Sequence, residues 1–350
     1  MFGKEVYICI RLPRYQCLNC PGNPTSTQKV SWFDRKSGQT KAFEKHILLA
    51  CVNSTISDVS IKENLSYDAI RGIIDRNVDK EVNWGNIRRL DVIGVDEVSL
   101  KKGHKDFVVI VTGRIGNETI ILAVLKDRTK AEVKKFFLSI PKRLRRTVQY
   151  VCSDMYDGFI NAAKEVFGNK VRVVADRFHV AKLYRDGLES LRSKELKRLK
   201  KELPAETYKE LKGAMWALRK KEEDLTAEEK ILLDTLFKHS PLLKKAYLLR
   251  DELTEIYDKK ITGPQANRLL NGWIARVKSS DVRCFDPFLK TLEARRKEIT
   301  NYFFERHTSG FVEGLNNKIK VIKRRCYGIY NITNLFQRIS LDLIGYSLYA

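Results

Sequence analysis

The hydrophobic pattern between residues 90 and 177 has the short period of β-strands. The β-branched runs "LDVIGVD", "KDFVVIVTGR" and "ETIILAVLKD" are separated by turn residues and fit three successive antiparallel strands. A helix is expected at about 129–140, followed by the strand "VQYVCSD", the helix "MYDGFINAAKEVF" and the strand "VRVVAD". This order predicts an α/β unit whose last two strands run parallel to the first.

Residues 42–80 have a helical period instead. "FEKHILLACV" predicts one helix, and "TISDVSIKENLSYDAIRGIIDRNV" predicts a helix, a short turn and another helix that Ser66 can cap. Seven apolar positions can pack the three helices together: Ile56, Val59, Ile61, Leu65, Ile70, Ile73 and Ile74. The outer face of the last helix would carry Tyr67, Asp68, Arg71 and Arg76. Two interpretations stay open, a helix-turn-helix that enters the DNA major groove and an ordinary helical hairpin.

Residues 178–307 are helical and densely charged. Helix starts are recognisable where Thr226 and Glu229 can form a capping box. They are also recognisable where the dipeptides that begin at Ser240 and Asp286 place proline at the first helical position. A block of this length is too long for a loop of the α/β unit, so an inserted helical subdomain is predicted.

The net charge indicates a polyanionic partner. There are 66 Lys and Arg against 43 Asp and Glu, a formal net charge of +23, which favours nucleic acid because bound phosphates release counterions. Ribosome association and membrane-surface binding are the alternatives, but no single basic amphipathic helix dominates. The apolar runs are far shorter than the ~20 residues of a membrane span, and the N-terminus lacks a signal-peptide pattern. We therefore expect a soluble cytoplasmic protein.

The cysteines do not indicate a disulfide framework, because there are seven of them at irregular spacing. Only Cys17 and Cys20 form a C-x2-C pair, in the turn-rich segment "CLNCPGNPTSTQ". A structural zinc ion needs four ligands, and neither Cys9 nor His46 sits at the spacing of a zinc ribbon. A zinc knuckle and a pair of reduced surface thiols are both open at this point.

Three apolar strands end in aspartate: Asp96, Asp154 and Asp176. Parallel strands bring their carboxyl ends to one edge of a sheet, so these carboxylates can meet in space. A hairpin with a polar end is the alternative for "IGVDEVSLKKGHKDFVVIV" at residues 93–111. Glu97 is expected to point away from Asp96, because adjacent strand residues face opposite sides of a sheet.

The segment "SGFVEGLNNKIKVIKRRCYG" can supply a third carboxylate. Treated as a helix over 310–325, it has an apolar stripe at Leu315, Ile319 and Ile322. The opposite stripe carries Glu313, Asn316, Asn317, Lys320 and Arg324. A solvated helix face is one interpretation. The other is a DNA site in which Glu313 holds a metal ion while the amides and cations bind phosphates.

This set of oxygen ligands suits metal-dependent phosphodiester chemistry. Two Mg²⁺ ions about 3.5–4 Å apart can activate a nucleophile and relieve charge on the leaving oxygen, and hard ions prefer carboxylate oxygens. The chain has no Ser-His-Asp order and no G-x-x-x-x-G-K-[ST] loop that would support another chemistry.

Four segments, "IGVDEVSLKKGH", "CSDMYDGF", "VVADRFHV" and "SGFVEGLNNKIKVIKRRCYG", resemble in order the Asp-Asp-Glu (DDE) transposases of the ISL-three insertion-sequence family. The resemblance covers about residues 10–345. It implies a ribonuclease H-like core with a large all-helical insertion, preceded by a zinc-knuckle region and a helix-turn-helix. By the same resemblance, Asp96, Asp154 and Glu313 are the catalytic carboxylates and hold two Mg²⁺ or Mn²⁺ ions. Asp176 and His179 match a family signature and are interpreted as supporting residues.

The chain departs from the family pattern at its N-terminus. Relatives typically carry two C-x2-C knuckles, and only the Cys17–Cys20 pair is present here. The first knuckle would lie upstream of Met1, so we expect a truncated chain or a misplaced start, and zinc binding is in doubt.

The expected organisation has four parts. Residues 1–41 form a partial zinc knuckle, 42–85 a helix-turn-helix, 86–180 with 308–350 the catalytic core, and 181–307 the inserted helices. Tyr67, Arg71 and Arg76 are predicted to contact DNA from the helix-turn-helix. The remaining predicted DNA contacts lie on the 310–325 helix: Asn316, Asn317, Lys320, Lys323 and Arg324.

The predicted function is a transposase that binds the ends of an insertion sequence and catalyses metal-dependent strand cleavage and strand transfer. The expected partners are double-stranded DNA, at element ends and target, and further copies of the chain assembled on that DNA. Two alternatives stay open, a related metal-dependent nuclease or resolvase and a DNA-binding regulator that has kept the fold without the chemistry.

Overall fold

A computed structural model of the chain describes residues 7–34, 37–99, 107–116, 118–306, 310–329 and 331–350, without the side chains of residues 311–313. The chain divides into two units, Met1–Val78 with Ser340–Ala350, and Asp79–Ile339. The finer division into four parts stays a prediction.

The N-terminal unit contains a short hairpin and three helices. Its elements are β1 (Arg14–Gln16), β2 (Thr25–Thr27), α1 (Lys41–Cys51), α2 (Ile56–Glu63) and α3 (Tyr67–Asn77). Each helix starts after a hydroxyl residue whose side chain accepts a hydrogen bond from a backbone N–H of the first turn: Thr40, Thr55 and Ser66. These caps satisfy donors that a helix start leaves free, and they confirm the predicted cap at Ser66.

The three helices pack around isoleucine and valine side chains, as the periodicity predicts. Val59, Ile70, Ile73 and Ile74 are buried, and Ile56 and Leu65 pack against them. The prediction is wrong for Ile61, which is 82% exposed. The eight-residue helix α2 turns only one narrow stripe toward its neighbours, and Val59 occupies it.

The larger unit is built on a five-stranded mixed sheet. Its strands are β3 (Val92–Ser99), β4 (Phe107–Ile115), β5 (Glu118–Leu125), β6 (Tyr150–Ser153) and β7 (Arg172–Ala175). The spatial order is β5-β4-β3-β6-β7. β4 runs antiparallel to both of its neighbours, β3 and β5, and β6 and β7 run parallel to β3. The predicted strand directions are therefore confirmed.

Helices cover both faces of this sheet. The connecting helices are α4 (Lys130–Ser139), α5 (Lys142–Arg145) and α6 (Asp157–Phe167). Phe137 of α4 and Phe159 of α6 pack with Val151 and Val173 on one face. The alternate strand residues, such as Cys152, face the other way into a core shared with the inserted helices. This alternation is the period-two pattern of a pleated strand.

The segment between β7 and the last two helices is helical, as predicted. Its helices are α7 (Arg177–Glu202), α8 (Ala205–Glu210), α9 (Ala214–Ala217), α10 (Ala227–His239), α11 (Pro241–Asp258), α12 (Gly263–Ser279), α13 (Asp286–Ala294), α14 (Arg296–Thr300) and α15 (Tyr302–Glu305). The capping box of Thr226 and Glu229 is present, and Pro241 opens α11. Pro287 takes the second helical position rather than the first, because Asp286 already belongs to α13.

Two further helices complete the chain, α16 (Gly310–Arg325) and α17 (Ile332–Tyr349). The predicted apolar stripe of α16 is confirmed, because Leu315, Ile319 and Ile322 are buried. Within the part of the chain that the structure describes, no helix combines the length and the apolar character needed to cross a bilayer.

Candidate active site

Three aspartates lie level with one another, each just beyond the last ladder pair of the parallel strands: Asp96, Asp154 and Asp176. The prediction that Asp96 ends its strand is wrong, because β3 continues to Ser99 through its antiparallel pairing with β4. The residues before the three aspartates are ladder partners, because Val95 pairs with Ser153 and Ser153 pairs with Ala175. Residues at the same level of neighbouring strands point to the same side of a sheet. The register of the fold therefore brings together the carboxylates that the sequence predicts to meet.

Asp96 is the most heavily engaged of the three. Its Oδ1 accepts a hydrogen bond from the backbone N–H of Glu97 at 2.7 Å, and its Oδ2 accepts one from Asn316 Nδ2 at 2.5 Å. His179 Nε2 lies 3.9 Å from Asp96 Oδ1 and 3.9 Å from Asp176 Oδ2. A helix from each side of the insertion, α7 and α16, thus reaches the same carboxylate.

The other two aspartates are fixed by local turns. Asp154 Oδ1 accepts the backbone N–H of Tyr156 at 3.0 Å. Asp176 is buried and caps α7, because its Oδ1 accepts the N–H of Phe178 at 3.3 Å. This cap gives Asp176 a structural role, and it orients the first turn of α7, which carries His179.

Burial raises the pKa of Asp96 to about 6. The nearby charges of Asp154 and Asp176 add to the rise, whereas the N–H of Glu97 and the imidazole of His179 oppose it. Burial likewise raises the pKa of Asp154. Carboxylates with raised pKa values at one sheet edge are costly to ionise together, and a bound cation would relieve that cost.

Glu97 follows Asp96 within β3, and its expected orientation away from Asp96 stays a prediction. Its carboxylate pairs with Arg128 at 3.3 Å, and the Arg128 guanidinium lies 5.3 Å from the ring centroid of Tyr156. The charge of Arg128 also opposes the rise that burial causes in the pKa of Asp154. The sequence interpretation missed Arg128, whose only local signal is a cation in the turn after a strand.

Helix α16 lies against β3 near Asp96. The side chain of Glu313 is outside the described residues. Asn316, predicted to contact phosphate, is buried and donates to Asp96, and its Oδ1 has no hydrogen-bond partner among the described atoms. Lys323 Nζ donates to the backbone oxygen of Ser99 at 2.8 Å. The other predicted phosphate contacts of this helix are exposed: Asn317, Lys320 and Arg324.

The oxygen ligands at this edge of the sheet fit a hard divalent ion, but they are too few to complete its coordination. Asp96 and Asp154 supply carboxylate oxygens, and the buried amide oxygen of Asn316 accepts no hydrogen bond from a described residue. Among the described side chains, no three His, Cys, Asp or Glu residues form a group that could hold a metal ion. A further ligand is therefore needed to close a metal site here.

The residues predicted to read DNA lie on helix α3. Tyr67 is 52% exposed. Arg71 pairs with Asp75 at 2.6 Å, and Arg76 pairs with the buried Glu44 at 2.5 Å. Both arginines thus have acidic partners inside the N-terminal unit, and their contact with bases stays a prediction.

Cys17 and Cys20 lie in the connection between β1 and β2. A hydrogen bond between the two thiols lowers the pKa of Cys17 and raises the pKa of Cys20. The other two ligands considered from the sequence do not join them, because Cys9 is an exposed free thiol and His46 pairs with Glu63 at 3.0 Å. A zinc knuckle is therefore not shown in the described part of the chain.

Comparison with known proteins agrees with this architecture. A DDE family model described as a transposase of the ISL3 group, the ISL-three family named above, matches residues 93–339. The helix-turn-helix domain of transposase family ISL3 matches residues 28–78. The transposase for insertion sequence element IS1001 of Bordetella parapertussis is 24% identical over 348 residues, which cover 99% of this chain and 83% of that protein. The transposase for insertion sequence element IS1557 of Mycobacterium tuberculosis is 24% identical over 365 residues, which cover 98% of this chain and 80% of the relative.

The larger match spans the sheet, the inserted helices and α16, and it covers well over half of the chain. The helix-turn-helix match decides between the two interpretations left open for residues 42–80, and together the two matches imply that the protein binds DNA. The chain therefore belongs to the ISL3 family of DDE transposases, and it is a transposase of insertion sequence elements.

Proposed function

We propose that this transposase binds the ends of its insertion sequence and cuts and joins DNA strands at the carboxylate edge of the central sheet. The observation that carries the proposal is the level placement of Asp96 and Asp154 on adjacent parallel strands, with Asn316 of α16 bonded to Asp96. The strand order β5-β4-β3-β6-β7, with the first three strands antiparallel, supports a ribonuclease H-like core.

Glu313 is the proposed third carboxylate. Helix α16 runs through residues 310–325, and positions 313 and 316 are one turn apart on the same helix face. Because Asn316 reaches Asp96, a carboxylate at position 313 belongs to the face of α16 that meets this edge. Glu313 would thus supply the ligand that the described side chains lack.

Asp96, Asp154 and Glu313 would hold Mg²⁺ or Mn²⁺, which prefer oxygen ligands. Bound there as a pair, these ions supply the activation of the attacking oxygen and the stabilisation of the leaving oxygen. Around them, Asn316 and the N–H of Glu97 hold the Asp96 carboxylate in one orientation. His179 stands between Asp96 and Asp176, where its imidazole can accept or donate a hydrogen bond.

DNA recognition is proposed for the outer face of α3 and phosphate binding for α16. An α3 helix docked in the major groove would present Tyr67 and Arg71 to base edges, whereas Lys320 and Arg324 suit the DNA backbone. Assembly of further copies of the chain on the two element ends completes the proposal.

The test is strand cleavage of a duplex that carries the element's terminal inverted repeat. Asp154→Asn should reduce cleavage in Mg²⁺ or Mn²⁺ by about 1,000-fold or more, since several kcal/mol of charge stabilisation are lost, while duplex binding persists. Asp234→Asn, an exposed aspartate of α10, is the matched control and should cleave like the parent. Parental cleavage by Asp154→Asn would overturn the assignment of that residue.

A further inference from the structure

A cavity of about 380 Å³ lies beside the first half of α7, the helix that starts at the carboxylate edge. One wall is a stripe along α7 that begins at Phe178 and continues through Lys182, Arg185, Glu189 and Arg192. These positions are three or four residues apart, so they share one face of the helix. The far wall comes from the end of α9 and from α11, at Leu218 and Arg250.

The cavity wall begins at Phe178, which precedes His179 of the proposed catalytic centre in the sequence. The ring of Phe178 is 48% exposed, and its centroid lies 5.6 Å from that of His179 in an edge-on arrangement. His179 Nε2 in turn lies 3.9 Å from Asp96 Oδ1. An exposed aromatic ring of the cavity wall is therefore in contact with the imidazole that lies beside Asp96.

Two cations follow Phe178 on this face of α7, and the described residues offer them no ion pair. Lys182 and Arg185 are exposed, and neither forms an ion pair or a hydrogen bond with a described residue. Farther along the helix, Arg192 is bonded to Glu189. The wall also carries the carboxylate of Asp186, and Lys182 and Arg185 supply the cations of the wall near Phe178 that are not in ion pairs with described residues.

The buried wall adds a further cation. Arg250 is 3% exposed, and its Nη2 donates to the backbone oxygens of Leu218 and Lys220 at 2.8 Å. Its Nη1 lies 3.4 Å from Asp251, but its Nε has no hydrogen-bond partner among the described atoms. A buried donor without a partner is costly, so an anionic ligand in this cavity would improve its surroundings.

We propose that this cavity holds an unpaired nucleotide of the DNA strand that is processed at the carboxylate edge. Its base would stack on Phe178 and its phosphates would bind Lys182 and Arg185. Stacking on an exposed aromatic ring beside cations is how proteins hold single strands regardless of sequence. A space of this volume has the size of a small-ligand pocket and is too small for a duplex. The inference rests on the proposed function, because it assigns the strand at that same edge.

The experiment measures binding separately from cleavage. In an Asp154→Asn background, the dissociation constants of a short oligothymidylate and of a blunt random duplex are measured over a range of salt concentrations. Phe178→Ala should weaken oligothymidylate binding by about 5- to 150-fold and leave duplex binding unchanged. Phe178→Tyr keeps the ring and should restore binding, which excludes a simple folding defect.

Loss of the cations Lys182 and Arg185 should change the salt dependence of single-strand binding. The Lys182→Ala and Arg185→Ala double variant should lower the slope of log affinity against log salt by about 1.4 on single strands, or 0.7 per phosphate contact, whereas Phe178→Ala leaves that slope unchanged. Lys194→Ala is the control, because Lys194 is exposed on the same helix outside the cavity wall. It should change neither affinity nor slope.

Two outcomes would overturn the inference: unchanged oligothymidylate binding in these variants, or an equal loss on oligothymidylate and duplex, which would indicate a general backbone patch. Neither outcome touches the proposed function, since that fails only if Asp154→Asn still cleaves. Conversely, selective loss of single-strand binding would support the cavity even if the catalytic assignment were wrong.

Discussion

The carboxylate edge of the central sheet and helix α3 both carry charged side chains assigned to DNA, but the fold balances their charges differently. At the edge, Asp96 and Asp154 stand level on neighbouring strands. Among the described residues, no lysine or arginine forms an ion pair with either of them, and the nearest basic group of Asp96 is the imidazole of His179 at 3.9 Å.

In α3 the charges are already paired. Arg71 has Asp75 one turn along the helix, and Arg76 has the buried Glu44 of α1. A charged side chain without an ion-pair partner inside the fold indicates a counter-charge supplied by a bound ion or ligand. A charged side chain that is paired inside the fold must give up a stabilising contact before it can bind DNA. Functional sites commonly sacrifice stability in this way.

The largest expected effect of this difference is on the pH dependence of stability. The pKa of Asp96 is raised from its ordinary value of 3.8 to about 6. Between these pH values the folded state holds a proton that the unfolded chain has lost, so the free energy of unfolding falls as pH rises from about 4 to 6. The fall from this group is at most about 3 kcal/mol, at 1.36 kcal/mol for each pKa unit.

Asp96→Asn should remove that fall, so the variant becomes more stable than the parent above pH 6 while its cleavage is lost. The measurement is urea unfolding from pH 4 to 7 without divalent ions, with Asp234→Asn as the control. Mg²⁺ should then stabilise the parent more than Asp96→Asn, because ligands that bind the folded state raise its stability. Parallel pH profiles for the parent and Asp96→Asn would contradict the prediction.

The sequence predicts which residues lie at this edge of the sheet, but it does not predict how the strands are aligned. β-branched runs followed by aspartate correctly predict that Asp154 and Asp176 follow the ends of parallel strands. The same pattern fails for Asp96, which lies inside β3 because the strand continues along β4 to Ser99. The ladder register, in which Val95 pairs with Ser153, is what sets the three aspartates level, and no local pattern contains it.

Contacts between distant parts of the chain account for the remaining differences. The helical period puts Asn316 on the polar stripe of α16, but its amide is buried because it meets Asp96, 220 residues earlier in the chain. The role of Arg128 is hidden in the sequence for the same reason, because its partner Glu97 lies 31 residues away on β3. The cavity beside α7 likewise requires Leu218 and Arg250 from separate helices. Helical and strand periods show which face a residue occupies, but they do not show what that face meets.

The next effect concerns Arg76. Its Nη2 lies 2.5 Å from Glu44 Oε1, and the Glu44 side chain is only 7% exposed. Removing the guanidinium leaves a carboxylate that still has Asn77 and Ser37 as hydrogen-bond donors, so Arg76→Ala should destabilise the N-terminal unit by about 1–3 kcal/mol. The measurement is thermal unfolding of the full chain, with the exposed Lys62→Ala on α2 as control.

Below the unfolding transition, Arg76→Ala should keep the parental preference for element-end over random DNA. A loss of sequence preference at unchanged stability would show that Arg76 reads bases, as predicted from the sequence. It would contradict the structural role that its ion pair with Glu44 gives it here. Arg76→Ala combined with Glu44→Gln should be less destabilised than the single variant, since the unpaired buried charge is gone.

The smallest effect on folding belongs to Arg71. Its pair with Asp75 is an i,i+4 contact of the kind worth about 0.3–0.5 kcal/mol, so Arg71→Ala should leave the free energy of unfolding almost unchanged. Its effect on recognition should be larger, because loss of a base contact costs about 1–3 kcal/mol and relaxes sequence preference. Competition binding of element-end and random duplexes separates these two quantities.

Asp75→Asn supplies the matched test. It releases Arg71 from its partner and should strengthen binding to the element end without reducing the preference for that sequence. Equal losses of affinity on element-end and random DNA after Arg71→Ala would mean that this arginine binds phosphate and that bases are read elsewhere on α3.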